Sequence, residues 1–229
     1  MVTGNQAEAP KAPTVPAVSG PDTAAGKFDA VAATYEHSVL QPLLYLPAQQ
    51  RALRLAQRLM PHPRRILDVG CGTGRLLRQA RQQHPAAMLI GIDPAWAMVA
   101  TATTASPPEL AIRHLRAAAE RLPFAASVFD LVVATMALRH WNDTAAAITE
   151  IHRVLAPGGV FVVADLFPTY PRRSPPLTVL RRRSRDHGNP PAGLAAALAT
   201  HGLPVVACQR MPWVCLPDVQ IVAAQKGCR

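Results

Sequence analysis

The chain has four cysteines among its 229 residues, Cys71, Cys208, Cys215 and Cys228, and no two of them stand in C-x-x-C spacing. That argues against a zinc site, and without a secretory context no disulfide framework is suggested, so a reducing, cytoplasmic compartment is expected. No apolar run approaches the roughly 18 residues of a membrane helix, and the N-terminus lacks a basic stretch followed by an apolar one. The expectation is a soluble protein without an export signal. No Gly-Lys-Ser or Gly-Lys-Thr occurs, which excludes a P-loop. Lysine is nearly absent: of the 24 basic residues only Lys11, Lys27 and Lys226 are lysine. With alanine so abundant, the codon bias of a GC-rich genome explains this better than adaptation of the whole surface.

What the chain does have is a formal charge of +10, unevenly spread. Arg172, Arg173, Arg181, Arg182, Arg183 and Arg185, against Asp186 alone, place half of that excess in one segment. It also has a strand–turn–helix pattern at Ile66-Leu67-Asp68-Val69-Gly70-Cys71-Gly72-Thr73-Gly74-Arg75-Leu76-Leu77. An apolar run, Arg65 to Val69, stops at three alternating glycines, and an amphipathic helical pattern runs on from Arg75 to Gln83. Glycines there let the backbone turn with positive φ and let a ligand approach the main chain, while the new helix offers unpaired N–H groups. A nucleotide-like ligand is expected over this turn. It is not read as a dinucleotide pyrophosphate, because Gly-x-Gly-x-x-Gly fails: the third position falls on Arg75 or Leu77.

Residues Met1 to about Gly26, with Pro10, Pro13, Pro16 and Pro21, read as a disordered tail, and the remainder as one domain of usual size. Phe28, Val31, Ala32 and Tyr35, then Leu53, Ala56, Leu59 and Met60, recur at helical spacing and predict two helices ahead of the first strand. After the turn, strands are predicted at Met88–Asp93, Ala111–Leu115, Phe129–Ala134 and Gly159–Asp165, and helices at Ala95–Thr103 and Thr144–Leu155. Such alternation implies a parallel sheet with helices on both sides. Past a linker comes a helix from about Ala192 to His201, closed by Gly202 as its αL cap, and then strands Val205–Arg210 and Val219–Ala224. So short a connection makes these two antiparallel.

Asp68-Val69-Gly70-Cys71-Gly72-Thr73-Gly74 resembles the Asp-x-Gly-x-Gly-x-Gly signature of class I S-adenosylmethionine-dependent methyltransferases, of the small-molecule, methyltransferase type 11-like kind. Further segments match the family: Gly91-Ile92-Asp93-Pro94, Ala118-Ala119-Glu120-Arg121-Leu122-Pro123-Phe124, the apolar run ending in His140-Trp141, and His152 to Gly159 with its structural Pro-Gly-Gly turn. The resemblance covers about Arg65 to Asp165. It implies a Rossmann-like, doubly wound seven-stranded α/β sheet with a reversed last strand. S-adenosylmethionine would lie against Asp68, Gly70, Cys71, Gly72, Thr73, Gly74, Asp93, Pro94, Ala118, Ala119, Glu120 and Thr135. The matching acid in the family accepts the ribose hydroxyls, which assigns that role to Asp93, about 20 residues past the turn; capping of the following helix is the other reading. At position 118 the family's adenine-binding acid has become alanine, so backbone groups of Ala119 and Glu120 are left to hold that edge.

Phe28-Asp29-Ala30-Val31-Ala32-Ala33-Thr34-Tyr35-Glu36 resembles the opening of quinone-type and other small-molecule methyltransferases, where it forms a helical cap. Residues 27–62 are expected to be that cap, with Tyr35 a pocket residue or ordinary core. Residues 167–191 sit where relatives place a substrate-side insertion, with Arg172 and Arg173 candidate substrate contacts. Four readings stand for that arginine-rich segment: a lid over an acidic substrate, attachment to an anionic membrane surface beside a lipid-like one, RNA binding, or a solvated loop. No cluster suggests a metal. Methyl transfer from a sulfonium needs alignment and exclusion of water rather than a covalent residue. For a hydroxyl or an acidic carbon a base helps, and His140 is the candidate, against the reading of a histidine merely hydrogen-bonded at a strand end. The expected activity is methyl transfer to a small molecule. The alternatives are an RNA methyltransferase, against which counts the missing Asn/Asp-Pro-Pro-Tyr/Phe motif, and a cofactor-binding protein without turnover.

Overall fold

The computed structural model describes residues 24–36, 38–167, 191–211 and 218–228. Seven strands form one sheet: β1 (Arg65–Val69), β2 (Met88–Asp93), β3 (Ile112–Arg116), β4 (Phe129–Thr135), β5 (Leu155–Leu166), β6 (Val205–Met211) and β7 (Val219–Gln225). Their order is β3-β2-β1-β4-β5-β7-β6. β1 pairs in parallel with both β2 and β4, and β7 runs antiparallel to both β5 and β6. The helices are α1 (Ala24–Tyr35), α2 (Leu46–Leu59), α3 (Arg75–Gln83), α4 (Trp96–Thr104), α5 (Thr144–Val154) and α6 (Ala192–Thr200).

The central strands carry near-continuous apolar runs because they are covered on both sides. Alternate residues face opposite layers. Ile66, Leu131, Val133, Val160 and Val162 pack with Leu53 of α2 and Leu76 and Leu77 of α3. Their neighbours Leu67, Val69, Val132, Phe161 and Val163 pack with Ile148 and Ile151 of α5 and Leu198 of α6. Phe129 and Phe161 are fully buried, each contributing on the order of 1.5–3 kcal/mol of apolar transfer. The entry to β1 is fixed by Asp130, whose Oδ2 accepts the N–H groups of Arg64 and Arg65, each at 2.8 Å.

Strand and helix positions follow the sequence pattern with three differences. The first helix begins at Ala24, inside the stretch read as tail, and residues 1–23 lie outside the described residues. A π-helical turn, Gln41–Tyr45, leads straight into α2, with Pro42 and Pro47 in the first turns of the two elements, where a missing N–H costs nothing. β5 reaches back to Leu155, through the predicted Pro-Gly-Gly turn, because Gly158 N–H donates to the Lys226 carbonyl at 3.1 Å and Gln225 Nε2 donates to the Gly158 carbonyl at 2.9 Å. The connection 212–217 lies outside the described residues.

Gly91 in the middle of β2 is a packing glycine. A Cβ there would lie 2.8 Å from both Cys71 Sγ and Leu77 Cδ1. Gly91→Ala is therefore expected to cost about 1–3 kcal/mol by overpacking, read as a lowered urea midpoint with an unchanged slope; a midpoint equal to that of the parent would show that the turn yields freely.

Candidate functional site

In an open sheet of this order the strand order reverses between the parallel neighbours β1 and β4, and a crevice opens beyond their carboxyl ends. The glycine turn after β1 sits there. Gly70 has φ +78, and a Cβ on it would fall 2.5 Å from Ala137 Cβ, so only glycine lets the turn after β4 lie against the turn after β1. Met136 pays for the same approach with a φ of +56, an uncommon conformation for so bulky a residue. Gly72 faces open space: a Cβ there would meet nothing within 4 Å. The turn is fastened to β2 by Gly70 N–H and Cys71 N–H, which donate to the Ile92 carbonyl at 2.8 and 2.9 Å.

Above this turn lies a cleft open to solvent on one side, the form that small-molecule sites usually take. Gly70, Gly72, Asp93, Pro94, Ala118, Ala119, Glu120, Thr135, Tyr35 and His140 all line it, so ten of the residues singled out by sequence converge. A smaller neighbouring cavity of about 350 Å³ takes Cys71 and Thr73 together with Gln41, Tyr45 and Arg75. Gly74 lines neither cavity; it starts α3 and packs on His114. Asp68 is buried below the turn. Arg172 and Arg173 lie outside the described residues.

Asp93 does more than cap a helix. Its Oδ2 accepts Gly72 N–H and its Oδ1 accepts Ala95 N–H, both at 2.9 Å, and it still faces the cavity. Burial pushes its pKa up to about 6 despite those two donors. Asp68 has neither oxygen partnered among the described residues, and burial, with Asp93 nearby, pushes it up to about 8. Glu120 is already committed: its Oε1 accepts Asn142 N–H at 2.7 Å and Asp143 N–H at 3.2 Å, fixing the loop ahead of α5. The Leu122-Pro123-Phe124 segment is held from the same helix, where Glu150 Oε2 accepts Leu122 N–H and Arg153 donates to the Phe124 and Leu122 carbonyls.

His140 stands at the far wall. Its Nε2 is buried without a partner among the described residues, and Phe28 meets the ring edge-on at 4.9 Å. Burial, and then the Arg139 charge, lower its pKa, so the ring is neutral at pH 7. Arg139 in turn pairs with Asp165, whose carboxylate is 1% exposed. Tyr35 stacks on Tyr45 at 5.7 Å, and burial raises its pKa, keeping the phenol protonated.

The sequence reading missed Phe28, Met98, Met136 and Trp141 as wall residues. The signal for Met136 lay at Gly70, which demands a close neighbour; Met98 on α4 gave no signal, being one apolar residue in an apolar helix.

Residues 67–163 match the family model described as a methyltransferase domain. The demethylmenaquinone methyltransferase of Thermus thermophilus is 40% identical over 125 residues, covering 54% of this chain and 56% of that protein. The malonyl-[acyl-carrier protein] O-methyltransferase of Halorhodospira halophila is 34% identical over 145 residues, covering 62% and 47%. The chain thus spans about half the length of these curated relatives. Among solved structures, the 1,6-didemethyltoxoflavin-N1-methyltransferase of Burkholderia thailandensis aligns over 92% of this chain and 93% of its own with a TM-score of 0.60 at 19% identity.

The residues present fit the cofactor of that fold. Asp93, buried yet facing the cavity, suits a ligand that offers cationic or hydroxyl donors; the Gly72 surface admits close approach; Ala117, Ala118 and Ala119 supply apolar lining for a base.

His114, on β3 behind Gly74, has both ring nitrogens buried and unpartnered among the described residues, and burial with the Arg78 charge lowers its pKa to about 4. The unfolded chain therefore binds this proton more readily, so its contribution to stability is complete above about 6.5 and is lost as the pH falls towards about 4. The melting temperature is expected to drop across that window, and His114→Asn to flatten part of the drop; parallel curves for the two proteins would exclude His114 as a source.

Proposed function

We propose that this chain, whose core segment and fold are those of the class I S-adenosylmethionine-dependent methyltransferases, transfers a methyl group to a small apolar acceptor. Bound S-adenosylmethionine would supply an electrophilic methyl group on its sulfonium. Asp93 and the turn at Gly70 and Gly72 would hold and orient it, and Ala118 and Ala119 would flank the base. The neutral Nε2 of His140, unpartnered among the described residues, receives the proton displaced from the acceptor's hydroxyl or acidic carbon, and the edge of Phe28 keeps the imidazole in place. Helix α1 and the loop at Trp141 exclude water, which the displacement requires.

The observation that carries the reading is the convergence on one cavity of Asp93, the open face of Gly72 and His140, whose Nε2 is unpartnered among the described residues. The character of the acceptor follows from the same lining. No lysine or arginine lines the cavity among the described residues, and its charged members are the acids Asp93 and Glu120. That favours a neutral, ring-bearing, lipid-like acceptor, such as the demethylmenaquinone named for one relative, over the malonyl carboxylate named for the other.

Calorimetric titration with S-adenosylmethionine and S-adenosylhomocysteine is expected to show binding that Asp93→Ala weakens by about 1–3 kcal/mol. With a naphthol or quinol acceptor, His140→Ala is expected to lower turnover by roughly 10²- to 10⁴-fold while leaving cofactor affinity intact. Full turnover by His140→Ala would remove the base from the mechanism; binding without transfer to any acceptor would leave a cofactor-binding protein instead of an enzyme.

A further inference from the structure

Helix α1 is a wall of the site that is thinly attached to the rest of the molecule. Its buried core residues, Ala25 and Ala32, are small and cluster with Ala95 and Met98 of the α4 region, while Phe28 and Tyr35 are half-buried and rest on His140 and Tyr45. Polar fastenings carry the rest. Along its body, Asp29 Oδ1 accepts Ala97 N–H of α4 at 2.7 Å. At its end stands Glu36, the first residue past the helix. One oxygen of Glu36 accepts the Thr73 hydroxyl proton and, at 3.3 Å, a proton of Arg78; the other accepts from Arg75. Arg78 also donates to the Thr73 carbonyl at 2.6 Å, so hydroxyl, carbonyl and guanidinium are locked to the same turn.

We propose that Glu36 is a positioning residue: its carboxylate clasps the cap helix α1 to the glycine turn, and release of that clasp opens the way in and out of the cavity. The clasp joins the wall contributed from ahead of the first strand to the glycine turn beneath the cavity. Ala25, Phe28 and Tyr35 of α1 face the cavity, Gly70 and Gly72 form its floor, and Thr73 and Arg75 border the smaller cavity next to it. The side chains of Glu36, Arg75 and Arg78 are 23–27% exposed, half-sheltered from screening, and three donors converge on one carboxylate. That is a network rather than an isolated surface pair, and it holds more firmly than one. Burial works against the charge of Glu36, but the hydrogen bonds from Thr73 and Arg75 outweigh it and hold its pKa below the usual carboxylate value, so the clasp is closed at neutral pH. Motion of α1 away from the glycine turn requires no strand to move, since β1 is held independently by Asp130.

The inference rests on the proposed cofactor reading in one of its two readouts only. Lysyl endopeptidase can cut the chain at Lys11, Lys27 and Lys226, and Lys27 lies exposed within α1, so cleavage after it reports opening of the helix. Glu36→Gln and Glu36→Ala are expected to speed cleavage after Lys27 and the dissociation of S-adenosylhomocysteine, followed by tryptophan fluorescence, each by about tenfold. Glu36→Asp is expected to restore part of both, and cleavage after Lys226 to stay unchanged. Rates within about twofold of the parent for Gln and Ala variants shown to be folded by circular dichroism would overturn the clasp. Should they not fold, Arg78→Met tests the same contact from the other side, with the same two rates deciding. Should the parent not bind S-adenosylhomocysteine, the cofactor reading fails while the proteolysis still decides the clasp.

Discussion

The site depends on one carboxylate. Asp93 stands at the end of β2 and accepts one N–H from the glycine turn and one from the residue that starts α4. Those two bonds set the distance between the floor of the cavity and the helix that closes one side of it, and they leave the carboxylate facing the ligand space. Gly91, two residues earlier, lets β2 sit close enough for this by leaving room for the Cys71 and Leu77 side chains. A loss of hydrogen bonding at Asp93 is thus also a loss of backbone satisfaction at Gly72 and Ala95, which is why its role cannot be separated into structural and functional parts.

Around that carboxylate the charges form a graded arrangement. Deepest lies Asp68, unpartnered among the described residues, whose ionisation burial opposes. Asp93 is next, raised less because two N–H donors offset part of its desolvation. At the rim Glu36 has the opposite balance, because two guanidinium groups and a hydroxyl meet it. Burial thus opposes ionisation at the base of the cavity, whereas the charge at its edge is neutralised by its partners. A cationic ligand relieves the first without competing for the second.

Most of the sheet was legible because its strands are short, apolar and separated by glycine or proline, and α3 was readable to the residue, Arg75 to Gln83, from three glycines and an amphipathic stripe. The floor of the site was legible for the same reason: spacing between glycines and the acid after β2 is a local property. The walls were not. Phe28, Met98, Met136 and Trp141 come from four separate segments, and nothing in an apolar residue's own neighbourhood says which side of it will be left open. Glu36 was visible as part of a motif, yet its partners stand 37, 39 and 42 residues away and their choice is made by tertiary packing. Arg65 to Val69 could be foreseen as a strand, whereas the back-extension of β5 to Leu155 depends on pairing with Gln225 and Lys226, far along the chain.

Ala118 bears on how selective the proposed cofactor site is. The sequence resemblance placed an adenine-binding acid at this position, and Glu120 stands two residues on as an apparent substitute. Its Oε1 already receives two N–H groups of the loop before α5, and withdrawing it would leave Asn142 and Asp143 without those bonds at the entrance to the cavity. The carboxylate is thus spent on holding the loop that carries Trp141 and leads from His140. On the proposed reading, recognition of the base falls to the flat surface of Ala117 to Ala119 and to main-chain groups, which discriminate by shape more than by hydrogen-bond pattern. Affinity is then drawn mainly from the other end, at Asp93 and the glycine turn, so that the sugar rather than the base dominates binding.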